Sequence, residues 1–470
     1  MSETNGASAN GAGKAPASSA DYGKTASFLA VGVGLTGVIT YAYFLIASHT
    51  LSKPDYGQIT VLWSAVFITI STLYRPIEQL LSRHISERVV KGQSLSEPMR
   101  VASTIQFGLS LLFTVVALAL RGPIQNTLLE GNETLYWVFF TSVLFYAASY
   151  FARGFLAGSQ RFGLFVALIL SESCFRTIFA VLVVVGILNG QGWVAVGITA
   201  APALSLLVVP FAFARKAQKD KAVAPPSEAA DVEEPEAFSF RHGGGFAAAV
   251  LLIMFSEQAF LNAGPLVIRG LQGAAEAGFI FNVLMIARAP LQLFQSISTS
   301  ILPHLTSLHT SEDPESDREF AHTVRMVLLG IVAFTGAALV FMAAVGPKAM
   351  QIAFGKNFTY DRAGLLLVTV GMGLYLASVT LNQACVAQGQ VRRAAARWIT
   401  CAVIFIGWNF VPLVSNEQRR VEFGFLIAAG VLFALLYWVY RRPHAHKGDT
   451  PLPGSPEELE ARLAIIDENV

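Results

Sequence analysis

Twelve apolar stretches recur along the chain, centred near residues 37, 69, 111, 146, 176, 204, 257, 290, 334, 375, 405 and 431. A helix needs about 20 predominantly apolar residues to cross a hydrocarbon core. The pattern therefore predicts an all-α polytopic membrane protein with 12 transmembrane helices. The polar stretches divide it. Residues 1–25, rich in Gly, Ala, Ser and Asn, are expected to be a disordered cytoplasmic tail. They are not a signal peptide, because the apolar run from Phe28 is too long for one. Six spans fill 26–214 and six more fill 244–442, joined by a charged, proline-containing cytoplasmic linker over 215–243. In the tail 443–470, Ser455-Pro456-Glu457-Glu458 has the form of a capping box. Leu459, Leu463 and Ile466 follow at helical spacing and predict a short amphipathic helix.

The two halves share a motif. Lys53-Pro54-Asp55-Tyr56-Gly57-Gln58-Ile59 leads through an apolar stretch to Leu81-Ser82-Arg83-His84. About 220 residues later, Ala274-Ala275-Glu276-Ala277-Gly278-Phe279-Ile280 leads to Ile301-Leu302-Pro303-His304. Each copy carries an arginine in mid-span with proline close behind it, Arg75-Pro76 and Arg288-Ala289-Pro290. Six spans per half give the copies the same orientation, so the two six-helix lobes are expected to be parallel repeats.

Composition agrees with a membrane protein: 54% hydrophobic, 14% charged, and a mean hydropathy of +0.54. The net charge of +2 matters less than its placement. With both termini cytoplasmic, most of the 33 Lys and Arg fall in inner loops and tails, which is the orientation the positive-inside rule favours. Cys174, Cys385 and Cys401 each sit inside an apolar stretch, at spacings that suit packing rather than a metal or a disulfide framework. The sequons at Asn132 and Asn357 are taken as chance occurrences.

Charges in hydrocarbon are expensive, about 2.5–3.5 kcal/mol each on insertion scales, and so mark function. Ser71, Arg75, Glu78, Gln79 and Ser82 form one stripe of the second span. Arg288, Gln292, Gln295, Ser296 and Thr299 form another on the eighth. Two such faces at equivalent places predict opposite walls of a central wet cavity. Arg75 and Glu78 could instead neutralise each other, but Arg288 has no carboxylate within a turn. A permanently charged guanidinium that forks onto phosphate oxygens suits a phosphate-bearing substrate. Arg75, Arg288, Gln79, Gln292 and Gln295 are the expected substrate-binding residues. Glu172 and Arg176 lie at salt-bridge spacing, read first as structural. Glu257, which has no basic residue within a turn, could load and release a proton, stay neutral and bond to a neighbouring helix, or pair with Arg288. Glu78, Glu257, Glu172 and Arg176 are the expected cavity charges or ion-coupling groups. The aromatic run from Tyr136 to Phe151 is expected to be mostly lipid-facing or interfacial packing, with Tyr146 and Tyr150 sharing a face that could stack on sugar rings if it lines the cavity. Gly154-X-X-X-Gly158 suits close helix approach. No P-loop, HExxH or GxSxG is present, so no enzyme activity, cofactor or metal is expected.

Several local patterns carry a resemblance: Leu51-Ser52-Lys53-Pro54-Asp55-Tyr56-Gly57, Leu80-Leu81-Ser82-Arg83-His84-Ile85, Arg153-Gly154-Phe155-Leu156-Ala157-Gly158-Ser159-Gln160-Arg161-Phe162 after the fourth span, Glu276-Ala277-Gly278 with Leu302-Pro303, and Phe354-Gly355-Lys356-Asn357-Phe358. Their order resembles the polysaccharide transporter branch of the MOP superfamily, the Wzx-type oligosaccharide flippases, over about 26–441. The resemblance implies two lobes rocking around a cationic cavity. It further implies a polyprenyl-diphosphate-linked oligosaccharide carried from the inner to the outer leaflet for cell-surface polysaccharide biosynthesis. Twelve spans depart from the fourteen of lipid II flippases. The roles of Arg75 and Arg288 rest on the charge argument alone. The expected partners are the lipid-linked oligosaccharide, membrane lipids, H⁺ or Na⁺ and a glycan polymerase complex, with no nucleic acid. The expected location is the inner (plasma) membrane. A cation-coupled multidrug exporter of the same superfamily and a scaffold for glycan assembly are the alternatives.

Overall fold

The computed structural model describes residues 19–90, 92–210, 240–285, 314–355, 358 and 360–441. Arg288, Gln292, Gln295, the C-terminal amphipathic segment and most of the linker lie outside them. The described chain is helical, with no strand among the described residues. In order, the helices are α1 (Ser19–Thr50), α2 (Lys53–Leu73), α3 (Arg75–Val90), α4 (Ser96–Ala119), α5 (Glu133–Gly158), α6 (Phe162–Val184) and α7 (Gln191–Ser205). After the linker come α8 (Phe240–Gln272), α9 (Ala274–Met285), α10 (Pro314–Phe354), α11 (Arg362–Ala387), α12 (Val391–Trp408) and α13 (Glu417–Arg441). Among the described residues ten stretches are long and apolar enough to cross a membrane; α9 and α12 supply the eighth and eleventh of the twelve expected spans.

The chain's own chemistry sets the boundaries that matter here. Ser52 caps α2, its Oγ accepting from the Asp55 amide at 3.3 Å, and Pro54 sits in the first turn. The second span is interrupted at Tyr74. Pro76 has no N–H to give the carbonyl four residues back and disfavours helix at Arg75 before it, so the ladder stops and restarts. Its restart delivers Arg75 at the head of α3. α5 runs on through Gly158, so Arg153–Gly158 are helical and the turn after the fourth span is confined to Ser159, Gln160 and Arg161. Gln160 takes the positive φ of 55° that the reversal needs. α1 and α8 start at Ser19 and Phe240, ahead of the boundaries expected from composition.

The helices pack in two groups. α5 lies on α3 and α7, and α6 on α1 and α7; in the second half α11 lies on α13 and α10, and α12 on α8 and α13. α2 packed on α8 is the main bridge between them. α4 and α10 turn many of their large apolar side chains outward, as lipid-facing helices do. The two motif copies meet at this bridge. A Cβ on Gly57 would stand 1.8 Å from the Ala274 carbonyl oxygen, and one on Gly278 would stand 3.2 Å from the Gly57 Cα. Only glycine permits that approach. The copies lie at the same end of the bundle, as repeats of equal orientation require.

A polar cavity sealed at one end

Around the motif contact the two halves are tied together. Tyr56 donates to Asn282 Oδ1, both residues fully buried. The Phe44 and Phe281 rings are 4.6 Å apart, and Phe358 packs on Tyr56 at 5.5 Å and Phe279 at 4.9 Å. Arg269, near the end of α8, pairs with Glu130 Oε1 at 3.2 Å and donates to the Thr127 carbonyl at 3.0 Å. Glu130 also accepts from Gln58, which accepts from Gln191 at 2.6 Å. This end is closed.

At the far end of the second span a cavity of about 850 Å³ opens. α3 supplies its polar wall through Arg75, Glu78, Gln79, Ser82 and Ser86; Ala157 of α5 and Phe165 of α6 supply the apolar one. An Arg83–Glu87 pair at 2.9 Å stands at the same wall nearer the end of α3. Of the expected stripe, Arg75, Glu78, Gln79 and Ser82 line this cavity. Ser71 does not: the break at Tyr74 leaves that hydroxyl buried on α2.

Arg75 makes no direct ion pair or hydrogen bond among the described residues, not even with Glu78 one turn away. The charges within its electrostatic reach are Glu257 of α8 first, then Glu78, with the phenols of Tyr150 and Tyr375 beside them. Glu257, read as a proton-loading group with Arg288 as one alternative partner, thus faces an arginine of the other half. Gln258 and Asn262, on the same helix, bond to each other at 3.0 Å.

Behind the cavity lies a buried charge network. Glu172 Oε1 accepts from Tyr146 at 2.9 Å and from Arg176 at 3.1 Å. Its Oε2 accepts from Ser149 at 3.3 Å and from Arg153. Arg176 also donates to the Tyr146 oxygen at 3.1 Å and lies 4.4 Å from the Trp63 ring. Glu172 and Arg176 are 4% and 2% exposed and pair with each other, with further bonds from α5, while the buried Arg176 Nε has no hydrogen-bond partner among the described residues. The aromatic run is mixed, not uniformly outward. Tyr136, Phe139, Tyr146 and Tyr150 are buried while Trp137 and Phe145 are exposed. Sequence reasoning missed Arg153, because the Arg153–Phe162 pattern is read as following the fourth span; its i, i+4 relation to Ala157, beside Gly154-X-X-X-Gly158, was the available signal. It also missed Arg269 and Glu130, whose pairing leaves no local pattern.

The chain matches the polysaccharide biosynthesis protein family over residues 22–309. No curated protein matches it in sequence. In fold it is similar to an inward-facing multidrug resistance MATE family transporter of the MOP superfamily, at TM-score 0.66 and 11% identity, over 90% of this chain and 100% of that one. An outward-facing structure of such a transporter matches at 0.62 and 14% identity, over 88% and 94%. A eukaryotic MATE transporter matches at 0.61 and 14%, over 90% and 96%.

Proposed function

The chain belongs to the polysaccharide biosynthesis protein family, and from that premise we propose that it is an alternating-access flippase for a polyprenyl-diphosphate-linked oligosaccharide. The observation that carries the reading is Arg75: a guanidinium without a direct partner among the described residues, at the head of a polar cavity that one end of the bundle seals off. A diphosphate gives it the forked oxygen contacts it lacks. Gln79, Ser82 and Ser86 offer donors and acceptors to sugar hydroxyls, and Phe165 and Ala157 offer an apolar flank toward the lipid tail. Arg288, Gln292 and Gln295 are assigned the same task from the other lobe on the strength of the repeat.

The cavity wall runs toward the basic end of the second span, where Arg83 and Arg88 lie. The positive-inside rule makes that end cytoplasmic, so this conformation is the inward-open one, loaded from the inner leaflet of the plasma membrane. The lobes 26–214 and 244–442 then rock as units about the linker 215–243, with both termini cytoplasmic. Glu78 and Glu257 are the groups through which H⁺ or Na⁺ would drive the cycle, and a glycan polymerase complex would receive the product. An exporter of organic cations is disfavoured, because such cargo needs carboxylates free of competing guanidinium.

The test is complementation of a strain lacking this gene. Arg75→Ala should reduce surface polysaccharide by about tenfold or more at normal protein level, since one charge-assisted bond is worth about 1.5–3 kcal/mol. Lipid-linked oligosaccharide should accumulate in the inner leaflet, and Arg75→Lys should retain part of the export. Full export by the alanine variant would remove Arg75 from the mechanism.

A further inference from the structure

The basic end of the second lobe carries cations that the transport reading does not use. Arg392, Arg393 and Arg397 lie on the first two turns of α12, and Arg441 closes α13, which packs against it. None of the four makes an ion pair with a carboxylate among the described residues. Arg392 and Arg393 are exposed, as cations that set topology are. Arg397 is different. It lies on the same face as Arg393 but one helical turn, about 6 Å, farther into the span. Its guanidinium stands 5.8 Å from the centre of the Trp438 ring, and its Nε is buried with no hydrogen-bond partner among the described residues. Arg441 repeats the arrangement on α13, 5.4 Å from the Tyr437 ring. Tyr437 and Trp438 are 38% and 49% exposed, so both ring-and-guanidinium pairs stand on the lipid-facing surface of the bundle. Two turns deeper on the Arg397 face, Ile404 is exposed as well.

We propose that this end of α12 and α13 binds an anionic phospholipid of the inner leaflet, whose phosphodiester is held by Arg397 with Arg393 and Arg441 beside it and whose acyl chain runs along α12 past Ile404. A guanidinium inside a span is expensive unless it meets an anion, and the described protein offers Arg397 none. Stacking on Trp438 fixes the plane of the group and leaves its edge to fork onto phosphate oxygens. Topology alone asks for cations at the rim, which Arg392 and Arg393 supply; it does not ask for one a turn inside. The arginines also select the head group. A zwitterionic lipid brings its own ammonium next to them, whereas an anionic one brings a net negative charge. The lipid is a bound partner, not cargo, since none of these side chains lines the cavity of the first half. The site stands whether or not the flippase reading does.

Delipidated full-length protein in detergent, titrated with phosphatidylglycerol, phosphatidylcholine or inorganic phosphate and followed by native mass spectrometry and thermal melting, tests this. The wild type should retain phosphatidylglycerol about tenfold better than phosphatidylcholine, and its melting midpoint should rise with the anionic lipid. Inorganic phosphate should neither raise the midpoint nor displace the lipid. Arg397→Gln, which removes an unpaired charge and strands no partner, should melt cooperatively and lose most of the preference. Arg397→Lys should keep part of it, because the charge stays while the fork is lost. Arg100→Gln, at an exposed cation of α4 on the same side of the membrane, should leave it unchanged. Equal uptake of the two lipids by the wild type, or equal losses in Arg397→Gln and Arg100→Gln, would reduce the cluster to a topology signal and overturn the site. Displacement of phosphatidylglycerol by inorganic phosphate would overturn the lipid as its ligand.

Discussion

Glu172 sits between two arginines in a space almost without water, and the consequences differ sharply from those at the cavity wall a few ångströms away. Removing its carboxylate leaves Arg153 and Arg176 buried as uncompensated like charges. Glu172→Ala should therefore cost about 3–5 kcal/mol, seen as a large fall in the thermal midpoint of the purified protein. Gln79→Ala, on the exposed cavity side of α3, should leave that midpoint nearly unchanged, within about 0.5 kcal/mol, while lowering cargo affinity. If the two variants melt alike, the division between a structural network and a working wall is wrong. At this scale the sequence was legible wherever the partner lay on the same helix. Glu172 and Arg176 announce themselves by spacing, and Arg75, Glu78 and Gln79 by the cost of placing them in an apolar run. Arg153 did not, because a cation near the end of a span reads as interfacial until the helix is known to continue past it.

Helices carry the next level of the mechanism through two local irregularities. The break between α2 and α3 aims Arg75 into the cavity, and it exists because Pro76 interrupts the hydrogen-bond ladder. Pro76→Ala should mend the ladder, straighten the span and reduce export with little loss of stability; spin-label distances across the break would register the straightening. The glycine contact between α2 and α9 is the other irregularity. Gly57→Ala places a methyl where the Ala274 carbonyl oxygen already lies, so the sealed end cannot close as it does here. In a background with Cys174, Cys385 and Cys401 replaced, Asn282→Cys should then react with a water-soluble maleimide. With Gly57 intact it should stay protected, because residue 282 is fully buried under Tyr56. Equal labelling in both backgrounds would contradict the seal. The spans themselves were readable from hydrophobic length alone. Their ends were not, since composition cannot say how far α5 runs beyond its last aromatic residue, or that one apolar stretch is two helices.

As a whole, the molecule is two lobes, and in the proposed alternating-access cycle the contacts at the sealed end set the balance between its states. Arg269 bonds to Glu130 and, 142 residues away in sequence, to the Thr127 carbonyl; Tyr56 and Asn282 are 226 apart. Pairings of such range have no periodicity behind them, which is why the closed end was invisible in the sequence although the repeat that builds it was not. Glu130→Gln should weaken the half-exposed pair by about 1 kcal/mol and move the conformational balance about fivefold toward opening at that end. Interlobe spin-label distances in nanodiscs would report that shift, and an unchanged distribution would show that the pair does not hold the lobes. Twelve spans, two related halves and the family resemblance agree with the observed fold. The cargo is the part that sequence and fold leave to chemistry. The most direct measurement is leaflet translocation in proteoliposomes of a fluorescent oligosaccharide carried on a prenyl diphosphate, set beside the same glycan on a prenyl chain without phosphate and beside an organic cation. The account expects the diphosphate lipid to cross rapidly, the phosphate-free lipid and the cation to stay at the rate of empty liposomes, and Arg75→Ala to abolish the difference. Transport of the cation with no acceleration of the diphosphate lipid would contradict it.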